Sequence, residues 1–408
     1  MIAQNPPNST TPHLILPRSV ELIAFALCVA HVVYLATAHV LGYWIYGPNG
    51  YSAADFVNVW AAGQLALHGA PASIYDFVAH KQMQVATIGH DFEGGLAWYY
   101  PPTYLFVAVL LASFPFFSAW VGWVFLTFPA YLAAIRMIVG DRLGILLAGA
   151  FPAILSNFLV GQNGFLTAGL LGGTLANMER RPWLAGCFLG LLTYKPHFGL
   201  LFPVVLIAAG QWRVIIAAAA VAIMLATASW LAFGTETWEA FFRALAAGSQ
   251  SIFSQGSVAW GKLQTMYGLA RLLGGSEALA WSVQGFVIAI CAIMNCILWR
   301  SRIPFALKAA ALATGALLST PYLFLYDLVA VAVPMAFLLR AGIATRIATY
   351  EWIGLGLASL SILLYPAFEG PVGIPALLIV AGLIARRVLD HIAAGAHTTG
   401  GVTAPAAI

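Results

Sequence analysis

Long apolar runs fill this chain from residue 19 to residue 388 and decide what it can fold into. In a lipid core there is no water to bond the backbone amides and carbonyls of such runs. Each run must therefore close its own hydrogen bonds as a helix. With 62% hydrophobic residues and a mean hydropathy of +0.89, no soluble domain would have enough polar side chains to cover its surface. An outer-membrane barrel would show short alternating segments, whereas here Leu, Ala, Val and Gly run on continuously. The expectation is an all-α polytopic membrane protein built as a single domain over 1–408.

The first run, 19–41, follows polar residues and Arg18. It is too long for a cleaved signal peptide and has no small-residue cleavage site, so it reads as an uncleaved first helix with its basic end inside. Further runs lie near 101–117, 119–138, 143–159, 164–178, 183–194, 197–210, 214–233, 278–299, 304–318, 322–339, 350–366 and 372–388. Several are shorter than the roughly 20 residues a crossing needs, and those must tilt, kink or re-enter. Arg180/Arg181, Arg213, Arg300/Arg302, Arg340/Arg346 and Arg386/Arg387 sit at run ends, as cytoplasmic loops require. Counting between them gives about twelve crossings and leaves two larger loops outside, 43–98 and 234–277.

In the first loop, Phe56, Val59, Trp60, Gly63 and Leu67 repeat at helical spacing, with Asp55 and Asn58 on another face. That pattern predicts a short helix lying on the membrane surface. The Ala/Gly/Thr-rich end, 392–408, reads as a disordered tail. The net charge of +4 is spread over short loops and reflects topology, with no call for a nucleic-acid partner. Cys28, Cys187, Cys291 and Cys296 lie in apolar runs without CxxC or metal-like spacing, and read as buried small hydrophobes.

Charged residues make up only 8% of the chain, so a carboxylate at the mouth of the bilayer is a functional candidate. Asp55 opens the segment Asp55–Gly63 after the first run, and two readings stand: a helix cap or an acid–base group. Tyr99 and Tyr100, before Pro101-Pro102, are interface tyrosines or pocket walls. Gly161-Gln162-Asn163-Gly164 is a tight turn, or a pair of amides offered to a hydroxyl-rich ligand. Lys195 breaks an apolar run beside Pro196 and His197. A lysine at such depth costs roughly 2.5–3.5 kcal/mol unless paired or wetted. It either snorkels or neutralises a phosphate with His197 near it. Tyr322, Tyr326 and Asp327 follow the break at Thr320-Pro321, and Asp327 either pairs with a cation such as Lys195 or lines a cavity. Lys262 and Arg271 in the second loop are phosphate contacts or solvated charges. HExxH, P-loop, DxD and strand-following GxGxxG patterns are absent from the sequence. A nucleotide-sugar donor with bound metal is therefore not expected, nor is any cofactor.

Taken in order, Asp55 through Gly63 to Tyr75-Asp76, Tyr100-Pro101-Pro102, Gly161-Gln162-Asn163, Arg180–Gly186, Lys195-Pro196 and Trp212-Arg213 resemble glycosyltransferase family 87, the polyprenol-phosphate-mannose-dependent α-mannosyltransferases, from about residue 50 to 340. The resemblance implies a GT-C-type fold and a lipid-phosphate sugar donor, with Asp55 as the catalytic aspartate of the first external loop. One departure is that Thr320-Pro321-Tyr322 stands where the mannosyltransferase type carries histidine. The reading that follows is an inverting membrane transferase of the inner (plasma) membrane, with its active site facing outside. It moves a sugar, mannose by resemblance, from polyprenyl phosphate to a glycolipid or glycan hydroxyl, with Asp55 as general base. Lys195, His197, Lys262, Arg271, Gln162 and Asn163 would contact the donor. Asn58, Tyr99, Tyr100, Tyr322, Tyr326 and Asp327 would line the pocket. The alternatives are a GT-C transferase for another polyprenyl-linked pentose or hexose, and a membrane transporter or lipid flippase.

Overall fold

A computed structural model describes residues 16–50, 55–92, 95–140, 142–254, 256 and 259–399. Parts of both expected external loops (51–54, 93–94, 255 and 257–258) and the tail from residue 400 lie outside the described residues. Eighteen α-helices and no β-strand are found among those described. The first part comprises α1 (Arg18–Gly50), α2 (Phe56–Leu67), α3 (Phe77–Ile88), α4 (Leu105–Ala112) and α5 (Phe116–Val139). The middle runs through α6 (Leu143–Gly149), α7 (Ile154–Val160), α8 (Gly164–Asn177), α9 (Pro182–Leu191), α10 (Leu201–Ala208) and α11 (Trp212–Ser249). The last part holds α12 (Met266–Leu272), α13 (Glu277–Arg300), α14 (Phe305–Ser319), α15 (Ala332–Thr345), α16 (Thr349–Leu363), α17 (Tyr365–Phe368) and α18 (Gly373–Thr399).

The all-α polytopic expectation holds, but fewer helices than the expected twelve are full-length crossings. Among the described residues five are long and apolar enough to cross a membrane, six if α6 and α7, bent by 59°, count as one span. The remaining apolar runs fold as shorter pieces because proline and polar residues interrupt them. Pro101-Pro102 confines the expected 101–117 run to the eight-residue α4, and Pro196 separates α9 from α10. Broken backbone is tolerated at membrane depth only beside protein or a wet cavity. Those breaks gather at one end of the bundle, and the candidate site is there.

Two boundaries fall differently from the sequence expectation. The second external segment is not a loop at its start: α11 continues to Ser249, bent at Gly234, whose φ of 81° favours glycine. The last helix runs on to Thr399, so the expected disorder does not begin at 392.

The helix expected at 56–67 forms as α2, and much of it is buried against the rest of the protein. Phe56, Val57, Asn58, Val59, Ala61, Ala62 and Gly63 are all buried. Small residues allow this close approach: a side chain at Gly63 would run into the backbone carbonyl of Ala108 and the methyl of Ala112 on α4. The packing fixes where the start of α2 points. Gly63→Leu should therefore lower stability by about 1–3 kcal/mol through overpacking. Gly122→Leu on α5, where a side chain meets open space, should leave thermal unfolding in detergent unchanged or slightly improved.

Candidate active site

Asp55 stands at the N-cap position, directly before α2, without capping it through its side chain. Its φ and ψ of −87° and −22° are helical, and its side chain accepts no bond from the helix's own amides. The carboxylate is thus available for other work. Its backbone N–H donates to the Val160 carbonyl (3.2 Å), which ties the start of α2 to the end of α7. The turn after α7 needs glycine twice over. Gly161 has a φ of 67°, and a side chain there would collide with Phe56 and the Trp120 indole. This turn brings the Gln162 amide to the Asp55 carboxylate, where it favours the ionised form.

Gln162 and Asn163 are buried and held from several sides. The Tyr100 hydroxyl donates to Gln162 Oε1 (3.3 Å), and so does the Asn163 backbone N–H (3.1 Å). With Oε1 occupied, the Gln162 NH2 is the group left to donate to Asp55. Asn163 Nδ2 donates to the Tyr100 hydroxyl (2.9 Å). Beneath them Tyr194 and Thr167 hydroxyls bond at 2.6 Å, and Tyr104 stacks on Tyr194 at 4.9 Å. Asn157 anchors the turn to the last part of the chain: it accepts from Gly164 N–H (2.9 Å) and donates to the Tyr326 carbonyl (2.6 Å).

Lys195 and Asp327 meet at 2.6 Å, 4% and 1% exposed. Phe324 N–H donates to the second carboxylate oxygen of Asp327 (3.3 Å), and the ammonium lies 4.9 Å from the Tyr326 ring centroid. In this arrangement Asp327 engages the Lys195 charge directly. An exposed cation near the site is Lys262, at the end of a short 3₁₀ turn. Its segment is pinned over the site: Leu263 pairs with Phe324 as an isolated antiparallel bridge, and Gln264 N–H donates to the Leu323 carbonyl (2.7 Å).

Asp55 is half-buried. Burial pushes its carboxyl up to about 6. The Gln162 bond and the Lys262 and Lys195 charges pull it part of the way back, while the Asp327 charge works against them.

The other expected residues divide between two neighbouring clusters. Tyr99 packs where a side chain on Gly248 would strike it. Tyr322 lies 4.6 Å from Phe253 and 5.9 Å from His197, measured between ring centroids. Arg271 stacks 4.7 Å over the Trp260 ring and is not among the charges acting on Asp55. Asn58 belongs elsewhere. It is buried, bonds His80 Nε2 at 2.5 Å, and donates to the Ala97 carbonyl (3.4 Å). Gln84 completes that cluster by bonding both backbone groups of Leu96, at 2.7 and 3.2 Å. Burial lowers His80 to about 4, so a neutral imidazole braces the chain leading to Tyr99 and Tyr100. Sequence reasoning missed His80, Gln84, Asn157, Tyr104 and Tyr194. Each carries a polar atom in an apolar neighbourhood, but their partners are 12 to 169 residues away. Among the described residues no three His, Cys, Asp or Glu side chains come together as a ligand set.

The ion pair yields a stability test. Asp327→Ala leaves the Lys195 ammonium buried and alone, and should cost about 3–5 kcal/mol. Lys195→Met/Asp327→Leu together should recover most of that loss. Thermal unfolding in detergent reads both, and equal stability of the single variant and the wild type would contradict the pairing.

The comparisons with known proteins now have a geometry to attach to. No curated protein and no solved structure matches the chain. The family model of glycosyltransferase family 87 matches residues 98–325. The match is narrower than the 50–340 resemblance read from the sequence. It takes in Tyr99, Tyr100, Gln162, Asn163, Lys195, His197, Lys262, Arg271 and Tyr322, while Asp55, Asn58, Tyr326 and Asp327 fall outside it. More than half of the chain is covered, and it holds the polar turn and the lysine break that build the floor of the site. This membrane protein belongs to glycosyltransferase family 87.

Proposed function

We propose that the chain transfers a sugar from a polyprenyl-phosphate donor to an acceptor hydroxyl, with inversion, and that Asp55 is the general base. One observation carries this reading: the Asp55 carboxyl neither caps its helix nor, among the described residues, forms a close ion pair, and it is pushed up to about 6 close to the buried polar side chains of Gln162 and Lys195. A base works best when its pKa lies near the operating pH.

The acceptor oxygen attacks the anomeric carbon while Asp55 takes its proton. The bond between that carbon and the phosphate oxygen breaks from the opposite face, and polyprenyl phosphate departs with the bonding electrons. The Gln162 amide holds Asp55 in its receiving orientation. Lys262, exposed near the site, offers charge to the leaving phosphate. Lys195 supplies a fixed positive field from beneath, and Asp327 holds it in place. Of the remaining candidates, Arg271 and His197 belong to the adjoining cluster and would meet the donor further from the reacting carbon. Mannose is the sugar that the family resemblance implies, and a glycolipid or glycan supplies the hydroxyl. The bundle end bearing Asp55 lies away from the arginine-rich loops, which supports an active site facing outward across the inner membrane.

The test uses protein in nanodiscs with a panel of polyprenyl-phosphate sugars and membrane-lipid extract, reading release of polyprenyl phosphate. Asp55→Asn should lower kcat/KM by about 10²–10⁴-fold with the fold intact. Because the base must be ionised, wild-type kcat/KM should rise with pH through about 6 and level off above it. Lys262→Gln removes a charge that favours ionised Asp55, so it should move that rise to higher pH and raise KM for the donor. Full activity of Asp55→Asn would return Asp55 to a structural role.

A further inference from the structure

A second cavity opens at the far end of the bundle from Asp55. It has a volume of about 700 Å³, and Glu179, Gln211, Trp212, Arg213, Trp299 and Lys308 contribute to its walls. Helices α8 and α14 connect the two ends. Helix α8 begins beside Asn163 and ends at the cavity, 14 residues on; at 1.5 Å per residue this is about 21 Å. Helix α14 begins at the cavity with Phe305 and ends at Ser319, before the break that leads to Asp327. A ligand in this cavity therefore cannot share the reacting centre.

The walls are built for an anion. Arg213 and Lys308 oppose the single carboxylate of Glu179. Arg213 is exposed and forms no ion pair among the described residues. Lys308 Nζ donates to the Trp299 and Ser301 carbonyls (3.3 and 2.7 Å), which leaves one of its three N–H groups. Helices α9, α11 and α14 all start here, and none has a side-chain cap. Their dipoles and first-turn amides, apart from Pro182, which has none, point positive partial charge at the same space. The ends of α8, α10 and α13 also arrive here, and some of their carbonyls are already bonded. Arg181 N–H donates to Asn177 (2.7 Å), Gln211 N–H donates to Leu206 (2.9 Å), and Lys308 covers the end of α13.

The position chooses between a soluble anion and a lipid. Trp212 is the first residue of one candidate span and Arg300 the last of another, so the cavity sits at the level where apolar helix meets polar loop. Trp212 is 57% exposed there, and Ile216 and Ile223 on the same helix face outward into the apolar layer. An indole at that level marks the headgroup region. We infer that this cavity binds the phosphate headgroup of an anionic membrane lipid, with Arg213, Lys308 and the starts of α9, α11 and α14 as its contacts and the acyl chains lying along α11. The site stands apart from the transfer reaction and does not depend on the role of Asp55.

The experiment places the protein in phosphatidylcholine nanodiscs or detergent and titrates phosphatidylglycerol, reading bound lipid by native mass spectrometry. Wild type should retain phosphatidylglycerol over phosphatidylcholine. Arg213→Glu should weaken that retention by about tenfold, as loss of a charge-assisted contact does. Arg213→Gln should fall between the two, and unchanged thermal unfolding would show that the fold survives. Arg302→Glu, exposed at the same end but off the cavity wall, should leave retention near the wild-type level. Equal losses in the Arg213→Glu and Arg302→Glu variants would reduce the effect to general surface charge and overturn the assignment. So would the absence of any preference in wild type. Binding of inorganic phosphate at Arg213 without a preference for phosphatidylglycerol would assign the cavity to a soluble phosphate and overturn the lipid reading.

Discussion

Two charges buried against each other, Lys195 and Asp327, hold together the part of this protein where helices fail. Each lies at a break: Lys195 between α9 and α10, Asp327 after the interruption that ends α14. Either charge alone in that surrounding would be strongly unfavourable, so the two breaks are obliged to meet. Tyr326 then lies over the ammonium and its carbonyl reaches Asn157, which in turn holds Gly164 and the turn bearing Gln162. The position of the amide beside Asp55 thus depends, through three contacts, on an ion pair 132 residues apart in sequence.

This arrangement resolves a conflict that any active site within a membrane bundle faces. Backbone freed from helical bonding must find partners, and the partners must leave some polar groups for substrate. Asn157, Gln162, Asn163 and Gln264 do most of the repair through side-chain amides, each of which can donate and accept at once. Charge is kept to a few positions, and at the candidate site Asp55 has no close cation among the described residues, whereas Asp327 has Lys195. The two ends of the bundle are built on opposite logic. At one, broken helices bring a carboxylate to a cluster of buried amides and tyrosines; at the other, helix starts and basic residues line a cavity suited to an anion.

Much of the fold was legible because apolar runs of this length have one solution in lipid. The runs at 119–138, 214–233 and 278–299 became α5, the first part of α11 and α13 almost as bounded. The short runs were harder. Composition marks 183–194 and 197–210 as apolar but does not say whether they cross or stop, and among the described residues they fold as helices too short to count as full-length spans. Helix α2 has the surface-helix pattern, but Gly63 and the alanines beside it also permit burial on several faces, and packing against α4 took that option. In the site, Asp55, Gln162, Asn163, Lys195 and Asp327 could be named because polar residues in an apolar setting are conspicuous. Asn58 was grouped with Asp55 because they lie one turn apart, yet it faces His80 instead.

The sequence by itself determined the material of this protein: helices, a membrane, a basic side, and a short set of polar residues too costly to be idle. Periodicity and hydropathy are local properties, and they survive without knowledge of neighbours. Tertiary structure alone decided which of those polar residues satisfy one another and which stay open. Lys195 could have faced a phosphate or a carboxylate, and Asp55 could have capped its helix. The choice was made by partners more than 100 residues distant, which no local pattern encodes.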